Sequence, residues 1–495
     1  SKPPHAAVFV RFDARRRGFI RFHKVGQVVV QMTRDIDAAL FVAVHRQDLQ
    51  REGVIPDKTS GDAGLLTGFP QRHGGKVAFA DGKIAVPWTA GPEGWYEVIV
   101  GQFVAAVISA DGTVTTPYAS LESAIAAAQS GDTIEMIADD RVSLTGGANA
   151  EVTIDKALTI TGALDDNGEP LYTIYGTSNA TGYNDIFVTG SGNVTISNLK
   201  FAGFGDEKAA TDPGSAPIYV SKNYTGEITL DTLTISDFNR GGVFLYGGSF
   251  VVTNCYIDCA KDTGSAFTKG IEIKGTASGT IVDTYICNME RANTSSVAGI
   301  EVYSSGDIVV DNVTIVSNEG EHTTTKPTYG IVVNHVGEHD PSGGHLLVTN
   351  CLFNCSNGCL AISDGGEGNV SNYSANVVDC SFDNYILLSS AGSTITVNGG
   401  EYAEDLYVDN GTINVLDGEF SNFAPYTEES GTIAISGGVF DAEVKQEYCA
   451  EGFVPAIYDE ASGLYTVTPG HKVTFVNYDN TVLFTTNVAV GATAV

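Results

Sequence analysis

A parallel β-helix of about eleven coils, an all-β fold, is what this sequence predicts, and three observations predict it. A six-residue pattern recurs along the chain, a second ladder of paired aliphatic residues runs between its copies, and the composition is that of short strands joined by many turns. The pattern is apolar, polar, small or Asn, two variable positions, then apolar. It reads Ile196-Ser-Asn-Leu-Lys-Phe201, Leu230-Asp-Thr-Leu-Thr-Ile235, Val252-Thr-Asn-Cys-Tyr-Ile257, Val282-Asp-Thr-Tyr-Ile-Cys287 and Val310-Asp-Asn-Val-Thr-Ile315. Further copies begin at Val348, Val377, Val397, Val415 and Ile435, and Ile154–Ile160 fits as an earlier one. The second ladder comprises Ile218/Val220, Val243/Leu245, Ile271/Ile273, Ile300/Val302, Ile331/Val333, Leu360/Ile362, Ile386/Leu388 and Leu406/Val408. Two period-2 strands per unit suit coils stacked in parallel, each burying its apolar residues against its neighbours. At ~4.8 Å per coil, eleven coils make a rod of roughly 50 Å.

The composition agrees. Gly supplies 57 of 495 residues, and only 17% are charged, against about 25% in an average soluble domain. Hydrophobic residues make up 43%, enough for a sizeable core. The net charge of −32 excludes nucleic acid and anionic membrane as main partners, because both would repel the chain. That charge is uneven. Residues 1–100 hold fourteen basic and ten acidic side chains, a net +4, and the remainder carries −36. Both Trp and nine of the twelve Arg also fall in this first part, which places a domain boundary near residue 108. No apolar run approaches the ~18–20 residues of a membrane span, and the opening Ser1-Lys-Pro-Pro-His does not read as a signal peptide.

Within 1–108, the segments Phe19–Val30, Ala38–Val44, Lys76–Val86 and Tyr96–Ile108 alternate like strands, and Gly53–Gly75 reads as a long loop. The segment matches no family and is read as a small β-rich anchoring domain. Residues 118–136 predict the one helix. Leu121, Ile125 and Ala128 share a face, Ser120 is a plausible N-cap and Gly131 a stop. This entry resembles the N-terminal cap of right-handed parallel β-helix proteins of the pectate-lyase-like superfold, a resemblance covering about 115–445 that speaks for fold more than function. The segment Ile435–Phe440, with Tyr448–Phe453 and Gly463–Val467 after it, resembles the closing segment of β-helical surface proteins of gut bacteria. Residues 471–495 resemble the opening of an internalin-B-type (Listeria–Bacteroides) repeat, which implies a surface-repeat, β-grasp-like module. The resulting domains are 1–108, a capped β-helix over 109–467, and the start of that module over 468–495.

In the second ladder the residues between the inward aliphatics point outward. Glu272 and Glu301 therefore occupy equivalent outward positions on consecutive coils, with Lys274, Tyr246 and Tyr303 on the same face. Stacked like charges cost stability, so these five are the glycan-binding candidates. The same pair could serve a cation or a glycosidase, and the plainer reading is a solvated face on which Lys274 relieves the repulsion. His335, His339 and His345 lie in one insertion and are weak metal candidates, with nothing to fix their geometry. Cys255, Cys351 and Cys380 share one repeat position, with Cys259 and Cys355 four residues on. Small apolar thiols filling the bore are favoured over a metal site or disulfides. Sequons such as Asn193-Val-Thr and Asn312-Val-Thr reflect turn composition.

No polygalacturonase-like, pectate-lyase-like, Ser-His-Asp, P-loop or dinucleotide signature appears, so no catalytic residue and no cofactor is assigned. The sequence is read as a non-enzymatic structural or adhesive fibre. It would be a phage virion (head or tail) fibre, docked through 1–108 on a capsid, tail or other surface protein and holding host or mucosal glycans, possible as a homotrimer. The alternatives are a secreted bacterial cell-surface adhesin and a tailspike-like polysaccharide depolymerase or lyase.

Overall fold

In the computed structural model, the described residues are the strands between Ala7 and Gln102, by backbone alone, and residues 103–491 apart from 143–149, 177–183, 205–215, 239–240, 260–267, 290–296, 318–327, 336–339 and 364–369. The chain forms two compact units, Ser1–Asp140 and Arg141–Val495.

In the first unit two four-stranded sheets are present. One orders Ala7–Arg11, Gln27–Gln31, Lys83–Val86 and Ala78–Ala80; the other orders Phe19–His23, Trp95–Gln102, Leu40–Val44 and Gly64–Leu66. Four readings change. Phe19–Val30 is not one strand but two, placed in different sheets, and Lys76–Val86 divides into Ala78–Ala80 and Lys83–Val86. Tyr96–Ile108 divides between Trp95–Gln102 and Ala105–Ile108 of another sheet, and Gly64–Leu66 is a strand within the segment read as loop. Alternation alone does not locate the break between two short strands. Further on, Ala105–Ile108 is paired antiparallel on both sides, by Thr115–Tyr118 and Thr133–Met136.

The helix α1, Leu121–Ala127, buries Leu121, Ala124 and Ile125. The Ser120 hydroxyl accepts from Ser123 N–H at 3.1 Å, as an N-cap does. Leu121 N–H, another first-turn donor, reaches Asp140 Oδ2 at 2.6 Å. The helix ends before the expected stop. Ala128 is already extended (φ −62°, ψ 146°), and Gly131 (φ +91°) turns the chain three residues later.

The second unit is a parallel β-helix with three ladders rather than two. The first in chain order, made by the paired aliphatics Ile218/Val220 to Leu406/Val408 of the second sequence ladder, stacks Asn184–Val188, Ile218–Val220, Gly241–Leu245, Thr268–Gly275, Val297–Ser304, Thr328–Val333 and Leu360–Ser363, then the starts of Ile386–Tyr402 and Leu406–Val415. The second runs in register through Ile160, Ile196, Leu230, Val252, Ile281, Val310, Val348, Val377, Val397, Val415 and Ile435, one residue from each of eleven coils. The third carries the last apolar residue of each hexad, from Ile174 and Phe201 to Phe420 and Phe440. Each hexad thus spans two faces, and a single bent residue separates them.

That residue takes the left-handed conformation. Asn198, Thr232, Asn254, Asp283, Asn312, Asn350 and Asp379 all have φ between 48° and 56°, where Asn and Asp are the best-tolerated non-Gly residues. Their side chains stitch the coils. Asn254 Nδ2 donates to Asp231 Oδ1 (3.0 Å), Asn312 Nδ2 to Asp283 Oδ1 (2.6 Å) and Asn350 Nδ2 to Asp311 Oδ1 (2.9 Å). Because the bend is one residue long, the third ladder left no separate turn signal.

Two hexad copies are corrected. Ile154–Ile160 is not a copy, because Ile154 pairs with Val188 in the first ladder and Ile160 pairs with Ile196 at the opening position of the second. The copy begun at Val282 moves by a single position. Ile281, not Val282, pairs with Val252 and Val310 and is fully buried, whereas Val282 faces outward. Two adjacent β-branched residues made the alternation ambiguous, and a one-residue slip exchanges faces.

In the later coils the bore is filled by a stack of rings. Phe353–Phe382 (4.9 Å between centroids), Tyr402–Phe420 (4.8 Å) and Phe420–Phe440 (5.0 Å) are stacked, and Phe382–Tyr402 is edge-on at 5.6 Å. Glycine stands at the bend in these coils because a Cβ would strike the backbone of the preceding coil. Gly400 has φ +94°, and a Cβ there would lie 2.1 Å from the Cys380 carbonyl oxygen. The parallel stack ends where Leu464–Val476 crosses antiparallel to Val439–Phe440 and Phe453–Asp459. That pairing covers an edge that would otherwise stay open. The same long strand continues into a hairpin with Val482–Ala489, so the expected boundary at 467/468 falls inside a strand.

Candidate functional site

The site lies on the outer side of the first ladder, where Gly241–Leu245, Thr268–Gly275 and Val297–Ser304 pair in register. Phe244, Glu272 and Glu301 stand one above another, and Lys274 lies beside Tyr303. Both carboxylates occupy the outward positions that the ladder predicted. The face is not solvated there, however. Glu272 is 0% exposed, Glu301 1%, Lys274 9% and Tyr303 6%.

Lys269, also buried, joins the two acids. Its Nζ is ion-paired with Glu272 Oε2 and lies 2.6 Å from Glu301 Oε2, and Lys274 Nζ lies 2.7 Å from Glu272 Oε1. Tyr246 OH donates to Glu272 Oε1, and Tyr303 OH to Glu301 Oε1 at 2.5 Å. The two ammonium groups are caged by rings. Lys274 Nζ is 4.6 Å from the Tyr246 centroid and 5.2 Å from that of Tyr303, and Lys269 Nζ is 5.3 Å from Tyr303. Two positive and two negative groups close a neutral cluster, which is how stacked carboxylates are tolerated in a buried place.

The electrostatics follow from this geometry. Burial works to raise the Glu272 pKa, but Lys269 and Lys274 outweigh it and hold the carboxyl at about 2. For Lys269, burial works to lower the pKa, and the Glu301 and Glu272 carboxylates together lift it above its ordinary value. A glycosidase general acid needs a carboxyl raised toward neutrality, and Glu272 is shifted the other way.

Sequence reasoning placed Glu272, Glu301, Lys274, Tyr246 and Tyr303 together and missed Lys269. Strict alternation assigns Lys269 to the bore with Ile271, but its amine reaches the outer carboxylates. A lysine three positions before a stacked acid, followed by a glycine that can break the alternation, was the available signal. Beside the cluster, Phe187, Tyr219, Phe244 and Tyr246 form an aromatic strip. Tyr219 lies 5.5 Å from Phe187, 5.9 Å from Phe244 and 5.0 Å from Tyr246 between centroids. Phe187, Tyr219 and Tyr246 are half-buried, so ring surface remains open to solvent.

The histidines are not brought together. His335 follows the first-ladder strand Thr328–Val333, whereas His345 opens the second-ladder strand His345–Thr349 and contacts Asn376 Nδ2 at 3.0 Å. His339 lies outside the described residues. Among the described residues no three His, Cys, Asp or Glu side chains group as metal ligands.

Residues 167–339 match the family described as "Right handed beta helix region", which fixes the hand of the coils. The match stops short of 468–495 and so does not extend to the internalin-B-type resemblance. No curated protein matches the chain. Among solved structures, the catalytic unit of a thermostable GH87 α-1,3-glucanase from Streptomyces thermodiastaticus strain HF3-3 is 13% identical, covers 86% of this chain and 87% of its own, and has a TM-score of 0.28. ORF18 of Geobacillus virus E2 is 11% identical over 64% of this chain and 56% of its own, with a TM-score of 0.22.

Proposed function

We propose that the protein is a non-enzymatic fibre displayed on a surface, a phage virion fibre docked through residues 1–108 and holding host or mucosal glycans on the outer face of the first ladder. One observation carries the reading. The stacked carboxylates of that face are buried and neutralised by Lys269 and Lys274, so they brace the face, while the adjoining rings of Phe187, Tyr219 and Tyr246 stay partly open. Open aromatic faces suit the C–H-rich face of a pyranose ring, and a rigid strand platform holds them without an ordering cost. Secretion as a bacterial surface adhesin would use the same face. The depolymerase reading draws support from the in-register Glu272/Glu301 pair and is opposed by the lowered Glu272 pKa.

The test is a glycan array probed with full-length protein and with Tyr219→Ala, both checked for folding by circular dichroism. The wild type should bind a defined set of glycans, and the variant should lose at least ten-fold in affinity. Equal binding by the two proteins, or none by the wild type, removes the first-ladder face as the glycan site.

A further inference from the structure

We propose that two thiol pairs in neighbouring coils, Cys351 with Cys380 and Cys355 with Cys359, close into disulfides when the chain folds in the presence of a disulfide co-reactant. The first pair follows from register. Thr349 pairs with Val378 and Leu352 with Ser381, so Cys351 and Cys380 stand opposite each other on consecutive parallel strands. Such strands lie about 4.7–4.9 Å apart, inside the roughly 4.4–6.8 Å Cα separation that disulfides span. Both side chains are buried in the bore and point the same way. The Cys351 sulfur lies 3.1 Å from the Thr349 carbonyl oxygen and 3.6 Å from that of Val310, and the Cys380 sulfur 3.3 Å from that of Val378 and 3.6 Å from that of Val348, the same acceptors one coil on. Each thiol is the largest influence on the other's titration, raising Cys351 and lowering Cys380.

The second pair is made by a turn. Between Cys355 and Cys359 the chain bends at Ser356 and Asn357 instead of continuing as a strand. One oxygen, Asp383 Oδ1, accepts from Cys355 N–H at 2.8 Å and from the Cys359 thiol at 3.6 Å, pinning both ends of the turn. Cys255 sits at the same repeat position as Cys351, but its register neighbour on the next coil is Thr284, so position alone does not make a pair.

The chemistry is ordinary thiol–disulfide exchange. One cysteine thiolate attacks a sulfur of the co-reactant, whose S–S bond breaks and releases one thiol. The second cysteine, after losing its proton, attacks the mixed disulfide, forming the protein S–S bond and releasing the second thiol. Each protein pair gives up two electrons and two protons, and the co-reactant takes up both. Burial, with the Cys359 thiol, holds the Cys355 pKa well above its ordinary value, so thiolate is scarce once the coils have stacked. Exchange therefore belongs to the folding stage, and the pairs record whether the chain folded in a reducing or an oxidising compartment.

The test uses the full chain made in two ways, in a reducing bacterial cytoplasm and exported to an oxidising periplasm. Each is denatured in an alkylating reagent without reductant and mapped by peptide mass spectrometry. The cytoplasmic protein should show all eight cysteines alkylated. The exported protein should show linked peptides containing Cys351 with Cys380 and Cys355 with Cys359. Refolding the reduced protein from guanidinium into a glutathione redox buffer supplies the same readout if export gives no product. In Cys380→Ala the first link should vanish and the second remain. Full alkylation of the oxidised protein, or links that join other cysteines, would overturn the proposal.

Discussion

Replacing Lys269 with Met strips the ammonium that bridges Glu272 and Glu301 and leaves both carboxylates buried, with Lys274 on one of them. Two charges one strand spacing apart repel by about 3–4 kcal/mol at an effective dielectric near 20, and removing one partner of a buried pair costs about 3–5 kcal/mol. Lys269→Met should therefore destabilise the helical unit by roughly 3–5 kcal/mol at pH 7. The pH dependence should also change sign. In the wild type the Glu272 pKa is depressed from 4.5 to about 2, so its contribution is present above pH ~4.5 and lost as pH falls toward 2. The shift is equivalent to about 3 kcal/mol. The raised Lys269 pKa adds stability below pH ~10.5 that is lost as pH rises through its folded value. In the variant, protonation relieves the bare carboxylate pair, so stability should increase as pH falls from 7 toward 5. Guanidinium unfolding followed by far-ultraviolet circular dichroism measures this. Tryptophan fluorescence does not, because Trp88 and Trp95 both lie in the first unit. A variant within about 0.5 kcal/mol of wild type at pH 7, or one that loses stability on acidification as wild type does, would refute the reasoning.

Two further predictions concern the coil geometry. Gly400→Ala puts a Cβ 2.1 Å from the Cys380 carbonyl oxygen at φ +94°; a loss of about 2–4 kcal/mol should appear as a lower guanidinium midpoint. At the bend, Asn312→Gly should cost about 1 kcal/mol or less, because it gives up the Asp283 hydrogen bond but keeps the left-handed backbone, whereas Asn312→Val should cost about 2–3 kcal/mol for strain plus the lost bond. Thermal midpoints of the two variants should separate in that order, and equal midpoints would deny the bend its conformational role.

The legible parts of the fold were those with one inward residue per period. The pairs from Ile218/Val220 to Leu406/Val408 set the register of the first ladder without error, since each aliphatic residue has only the bore to occupy. The third ladder was not legible because a one-residue Asn bend leaves no loop between two faces, and Ile281-Val282 hid its register because either residue fits a buried strand position. At the site, alternation put Glu272 and Glu301 on one face and predicted their stacking. It could not say that the face would be closed, since that depends on how Lys269, Lys274, Tyr246 and Tyr303 fold over the carboxylates. It also gave no place to Lys269, because alternation breaks at Gly270, whose missing Cβ would meet Ile286 in the bore, and the lysine before it is left on the outer face. The paired thiols Cys355 and Cys359 depended on a turn held by Asp383, twenty-four residues later.

The claim that this face binds and does not cut is tested most directly by incubating the full-length protein and Glu301→Gln with the glycans that the array identifies, and with capsular and pectic polysaccharides, then assaying new reducing ends and unsaturated products. The account predicts neither product from either protein, because both carboxylates are committed to Lys269 and Lys274. Product formed by the wild type and abolished in Glu301→Gln would contradict it and make the face an active site.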